Sequence, residues 1–210
     1  MGKIEITKKV LGICATNCYT VVDTETKEAL IIDPADRADV LIRDWKDKGV
    51  TPQAVLLTHG HFDHIGALAG VKKEYPEIMV YAAAEEKEVM ESPALNLSSS
   101  FGAAFTAQAD IYLEDGAEIE VLGRKCKCLL VPGHTKGGMC YYFPEEHVVF
   151  TGDTLFCYSV GRTDFPTGDA KALEDAIRAK LFVLPDETLV LPGHDAQTMI
   201  GKEKKGNPYF

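Results

Sequence analysis

The sequence predicts an α/β layered fold, and three observations carry that reading. Short apolar runs of strand type recur along the chain, with amphipathic helical patterns between some of them. Five of those runs end alike, at a Gly or Pro turn that carries an Asp or a His. Apolar residues make up 46% of the chain and charged residues 26%, a balance that builds a sizeable core and excludes disordered, collagen-like and coiled-coil classes. At 210 residues, with no linker, low-complexity stretch or charge block, the chain fits one domain over 1–210.

Taken in order, residues 17–23 (NCYTVVD) and 28–33 (EALIID) read as a hairpin turning at Thr24–Lys27. Residues 36–48 place Ala38, Leu41, Ile42 and Trp45 at i, i+3, i+4 and i+7 before Gly49, an amphipathic helix with a glycine stop. The run AVLLTHGH (54–61) is a buried-strand pattern that breaks at its glycine. Residues 92–109, SPALNLSSSFGAAFTAQA, are small and polar around two phenylalanines, a loop of the length that is usually functional or mobile. CLLVPGH (128–134) and HVVFTGD (147–153) are further buried strands. Residues 169–183 carry Leu173, Ile177 and Leu181 on one helical stripe, with Asp169 as N-cap. TLVLPGH (188–194) closes the series, which ALIIDP (29–34) opens.

Ligands in α/β sheets gather beyond the carboxyl ends of the strands, so five strands delivering Asp or His to one edge assemble a site. Gly, Pro and Asp also punctuate ordinary turns. That explains the breaks, but not why His follows Gly three times.

Charge narrows the partners. Lys plus Arg number 22 against 32 for Asp plus Glu, a formal net charge of -10, which repels phosphate backbones and anionic membranes. The expectation is therefore no nucleic acid and no membrane. MGKIEITKKV has no apolar stretch of signal-peptide type, and no run approaches a spanning helix, so the expected location is cytoplasmic. The six cysteines form no CxxC pair and read as buried thiols without a redox role, with Cys126 and Cys128 expected on opposite faces of one strand.

Of six histidines, five sit in the strand-end turns, three of them within His59-Gly60-His61-Phe62-Asp63-His64. His59 and His61 are close enough to hold one cation from two ring nitrogens, and Asp63 and His64, on the following turn, can face a second. Imidazole and carboxylate suit zinc, iron or manganese, and the lack of thiolates here argues against a closed structural zinc site. His147, beside Glu145 and Glu146, reads as a surface residue.

These motifs carry a resemblance. HGHFDH (59–64), PGHT (132–135), TGDTLF (151–156) and PGH (192–194), with NCY and IIDP near the start, resemble the metallo-β-lactamase superfamily over nearly the whole chain. Within it the chain is similar to the glyoxalase II-like branch, the hydroxyacylglutathione hydrolases. GRTDFPTGD (161–169) and the GNPYF ending most resemble short bacterial members without a C-terminal helical domain. The resemblance implies an αββα four-layer sandwich with a dinuclear site along one edge. It implies that His59, His61 and His134 hold the first metal, that Asp63, His64 and His194 hold the second, and that Asp153 bridges both. Asp33 matches an aspartate that supports the ligands through hydrogen bonds. Two divalent ions, zinc foremost, with iron or manganese as alternatives, would activate a water against the carbonyl of an acyl thioester. Asp63 and Asp153 would be catalytic, and no protein nucleophile is needed.

The substrate residues are expectations of the same kind. Arg162 matches a basic residue that binds glutathione in full-length relatives, whereas Asp164 stands where those enzymes carry a tyrosine. An anionic small-molecule thioester such as S-lactoylglutathione is the expected substrate, with Arg162 as a bidentate clamp. The competing role for Arg162 is a pair with Asp164 or Asp169 that fixes the loop. Phe101 or Phe105 could close over the acyl group or pack inside. The alternatives are a mononuclear-iron persulfide dioxygenase and a lactone or phosphoester hydrolase of the same superfamily.

Overall fold

The computed structural model describes residues 2–210 and stacks two six-stranded sheets face to face, with helices on both outer sides. The first sheet follows chain order: β1 (Ile4–Leu11), β2 (Thr16–Asp23), β3 (Glu28–Ile32), β4 (Thr51–Leu56), β5 (Met79–Ala83) and β6 (Ile111–Leu113). β1 to β3 pair antiparallel, and β3 to β6 pair parallel. Parallel neighbours need crossovers. These carry α1 (Ala38–Asp47), α2 (Phe62–Ile65), α3 (Leu68–Glu74) and α4 (Lys87–Glu91), the last preceded by a 3-10 turn at Ala84–Glu86.

The second half contributes β7 (Glu118–Val121), β8 (Arg124–Leu130), β9 (Met139–Phe143) and β10 (Val148–Gly152). A small hairpin of β11 (Leu155–Phe156) and β12 (Ser159–Val160) follows, then α5 (Ala170–Ala176), β13 (Leu189–Pro192), β14 (Thr198–Met199) and α6 (Ile200–Gly206). The second sheet has the order β14-β13-β10-β9-β8-β7, antiparallel except where β10 lies beside β13. Asp169 caps α5 as expected, its carboxylate accepting the Ala172 N–H at 3.0 Å. α5 then widens into a π-helical turn, Ile177–Leu181, so the expected single helix over 169–183 is two segments.

Strand periodicity sorts side chains into three apolar layers. In β3, Leu30 and Ile32 face the other sheet, while Ala29 and Ile31 face Leu41 and Trp45 of α1. In the second sheet, Tyr141 and Phe150 face inward, and Cys140, Tyr142, Val149 and Val190 meet Leu173, Ile177, Leu181 and Ile200. Each fully buried side chain of this kind contributes roughly 1.5–3 kcal/mol. The order helix, sheet, sheet, helix is the expected αββα sandwich.

Two cysteine expectations are corrected. Cys126 and Cys128 both face the inter-sheet core, because residues two apart on a strand share a face. Cys14 and Cys157 are half-buried rather than buried. Among the described residues, no helix is long and apolar enough to cross a membrane.

Candidate metal centre

Five strand ends converge on one edge of the sandwich. β3 leads to Asp33, β4 to His59, β8 to His134, β10 to Asp153 and β13 to His194. His61 is the N-cap of α2 in extended geometry, which leaves Asp63 and His64 on the first helical turn. The chain therefore turns through the motif HGHFDH and presents four side chains to one point.

His59, His61 and His134 form the first group. His61 Nδ1 lies 3.1 Å from His59 Nε2 and 2.9 Å from His134 Nε2. The outer nitrogens decide which atoms point inward. His134 Nδ1–H donates to the Arg162 carbonyl at 2.7 Å, so its Nε2 lone pair faces the group. The Thr58 hydroxyl is spent on Asp33 Oδ2 at 2.6 Å, so it accepts from His59 Nδ1–H at 3.2 Å, and His59 also turns a lone pair inward. Burial holds His59 well below the ordinary imidazole value and His61 at about 3, which keeps both neutral.

Asp63, His64 and His194 form the second group. His194 Nε2 is 3.4 Å from Asp63 Oδ2, and His64 Nε2 is 3.6 Å from the same oxygen. Asp153 reaches both groups: its Oδ2 is 3.6 Å from His134 Nε2 and 3.3 Å from His194 Nε2, and its Oδ1 is 3.3 Å from His64 Nε2. Burial alone would push His64 down, but Asp63, Asp153 and Asp33 around it hold it well above the ordinary value. The same opposition, burial against hydrogen bonds to Asp153 and Asp63, leaves His194 at about 9. For Asp63, His64 and His194 overcome the burial penalty and bring the carboxyl to about 2. Burial thus lowers His59 and His61 in the first group, whereas the carboxylates of the second raise His64 and His194.

The residues fit divalent ions. His59, His61 and His134, then His59, His64 and Asp153, then Asp63, His64 and His194 each bring their donor atoms within 4.8 Å of one another. Nitrogens about 2.0–2.1 Å from a tetrahedral zinc lie about 3.3 Å apart, close to the spacings of the first group. His64 Nε2 and Asp153 Oδ1 are buried and lie 3.3 Å apart without a well-aligned hydrogen bond between them. Asp33, 1% exposed, receives the Thr58 N–H at 2.7 Å and lies 2.8 Å from His64 Nδ1, so it holds that ring in place. Its φ of 49° is left-handed, a conformation Asp tolerates better than most residues.

Beside the cluster opens a cleft of about 460 Å³ walled by Phe62, Phe101, Phe156 and Phe165 with Cys14 and Arg162. Phe101 stacks on Phe62 at 4.6 Å and faces this cleft. Phe105 does not; it packs against the outer core, where Asn96 and Ser98 hold its backbone. Asp164 is not on the cleft wall either. It holds the Arg162 guanidinium by two bonds of 2.7 and 2.6 Å, over the face of Phe165. His147 is on the surface, near Glu187.

The match with known proteins is extensive. The family model for the metallo-beta-lactamase superfamily covers residues 11–194. The chain belongs to the metallo-β-lactamase superfamily. Its relatives within that superfamily include hydroxyacylglutathione hydrolase GloC of Haemophilus influenzae, 35% identical over 92% of each chain. The crystal structure of the B3 metallo-beta-lactamase BLEG-1 superposes with a TM-score of 0.92 at 39% identity, covering 98% of this chain and 99% of that one. TTHA1623, solved in a di-iron-bound form, gives a TM-score of 0.85 at 35% identity, covering 97% and 100%.

Several groups that orient this superfamily site escaped the sequence reading. The Thr16 hydroxyl donates to Asp63 Oδ2 at 2.7 Å. Asn17 Nδ2 donates to the carbonyls of Pro192 and Asp195, on either side of His194, at 2.9 and 3.1 Å. Gly193 is required by close approach, since a Cβ there would lie 2.7 Å from His64 Cε1. The adjacency of Thr16 and Asn17 to a strand start, and of Thr58 to His59, was the available signal.

Proposed function

We propose that this superfamily member is a metal-dependent hydrolase of acyl thioesters working with two divalent ions, zinc foremost. The observation that carries the reading is the Asp153 carboxylate, which reaches both donor groups at the floor of an open cleft. When bound, two such ions polarise a carbonyl and lower the pKa of a water between them from about 15.7 toward about 7. The chain's own residues do the rest. His59, His61 and His134 would hold one ion, Asp63, His64 and His194 the other, and Asp153 would serve both. The Thr16 hydroxyl pins the Asp63 carboxylate, which would orient the attacking water. A thiolate leaves without a strong acid, so no proton donor is needed at the leaving group. The GloC relative favours a glutathione thioester, and the phenylalanine walls suit the acyl group.

The test is metal analysis coupled to a panel of S-lactoylglutathione and coenzyme A thioesters, with lactone and phosphoester controls. Two ions per chain and thioester turnover are expected, and Cys157→Ala should leave turnover unchanged. One iron per chain with oxygen consumption would replace this reading with a persulfide dioxygenase.

Arg162 is the expected contact for an anionic thiol carrier. Because Asp164 already holds its guanidinium, a substrate carboxylate binds there by displacing Asp164. The pair is exposed to solvent and screened by it, so the exchange is cheap. Arg162→Ala should raise KM for anionic thioesters about tenfold, a loss of about 1.4 kcal/mol, with metal content unchanged. Unaltered KM with a lowered melting temperature would make Arg162 a loop anchor.

A further inference from the structure

One fully buried carboxylate lies outside the ligand set and outside the proposed chemistry. Glu86 ends the 3-10 turn that follows β5 and is 0% exposed. Its two oxygens face different loops. Oε1 accepts the Gly60 N–H at 2.7 Å, and Gly60 lies between His59 and His61. Oε2 accepts the Thr135 hydroxyl and the Gly137 N–H, both at 2.9 Å, just beyond His134. The contact is close, since a Cβ at Gly137 would lie 2.5 Å from Oε2, and the glycine there is needed for it.

Stability alone does not explain this group. Among the described residues Glu86 forms no salt bridge; burial pushes its carboxyl up to about 7, against its hydrogen bonds from Gly60, Thr135 and Gly137. A buried charge without an ionic partner is costly, and an apolar residue of similar volume would serve the packing at least as well. What a carboxylate alone supplies is two acceptor atoms at a fixed separation, each facing a loop that carries imidazoles of the first group.

We propose that Glu86 is a positioning residue that ties the 59–61 turn to the 134–137 turn and so sets the spacing of His59, His61 and His134. The inference rests on these three histidines holding a cation and is independent of the substrate. Glutamine cannot replace the carboxylate, because its amide nitrogen would turn a donor toward the N–H groups of one turn or the other. The two turns would then move apart and the nitrogens with them.

Cobalt(II) added to chelator-treated protein reads the geometry directly, through its visible absorption and its affinity in competition with a chelator. The wild-type chain should bind cobalt, and Glu86→Gln should bind it at the first group at least tenfold more weakly, with a shifted absorption band, in line with losses at residues that orient metal ligands. Val89→Ala, at a buried α4 residue whose side chain has no hydrogen-bonding group, should lower the melting temperature and leave the band in place. Wild-type affinity and band in Glu86→Gln would overturn the proposal. If that variant does not fold, Thr135→Val removes one of the three donors and should weaken cobalt binding with a smaller band shift; an unchanged band and affinity would overturn it equally. Failure of the wild-type chain to bind cobalt would overturn the metal reading itself, and this inference with it.

Discussion

Replacing Asp153 with alanine should abolish thioester turnover and leave no more than one metal equivalent per chain. Among the described residues, no other carboxylate stands within 4 Å of imidazoles from both groups, His134 on one side and His64 and His194 on the other. If Asp153 serves both ions as proposed, its loss removes their shared ligand and the activation of the water that the two charges would supply. His194→Ala is the graded comparison: it removes one imidazole from the second group and should weaken that ion while sparing the first. Elemental analysis of the purified variants, read beside initial rates on the active thioester, checks both. An Asp153→Ala chain that kept two ions and wild-type rates would remove the central observation behind the proposed function.

Asp33→Asn should show the second largest effect, on metal affinity and stability together. The carboxylate accepts the Thr58 N–H, the Thr58 hydroxyl and the His64 Nδ1–H from fully buried surroundings. An asparagine keeps the shape but offers one oxygen in place of two, so at least one buried donor faces an amide nitrogen. Breaking one partner of such a buried charged network costs about 3–5 kcal/mol. For a chain of this size that lowers the melting temperature by about 6 °C or more. Metal affinity should fall about 10–100-fold, because the loss reaches His64 directly and His59 through Thr58. A thermal melt and a chelator competition measure the two separately. Unchanged affinity despite a lowered melting temperature would confine Asp33 to the scaffold.

The sequence by itself determined the layered fold class and placed at strand ends and in one short motif the seven candidate donors that the structure brings together. Both signals are local. Strand and helix periods are written in neighbouring residues, and a turn of the type Gly-His or Gly-Asp after a buried strand delivers its side chain at the strand's end whatever the rest of the chain does. The N-cap at Asp169 and the hairpin around Thr24–Lys27 were legible for the same reason. Tertiary structure alone decided which phenylalanine of the 92–109 loop meets the cleft: Phe101 stacks on Phe62 while Phe105 is drawn into the outer core, and nothing in FGAAF distinguishes them. It alone paired Arg162 with Asp164 rather than Asp169. It alone assigned the supports of the site, Thr16 to Asp63, Arg162's carbonyl to His134 and Glu86 to two turns, across separations of 26 to 51 residues. A hydrogen bond has no periodicity. Its partner is whichever buried donor or acceptor the packing of distant strands leaves within reach, and burial is what makes that partner obligatory.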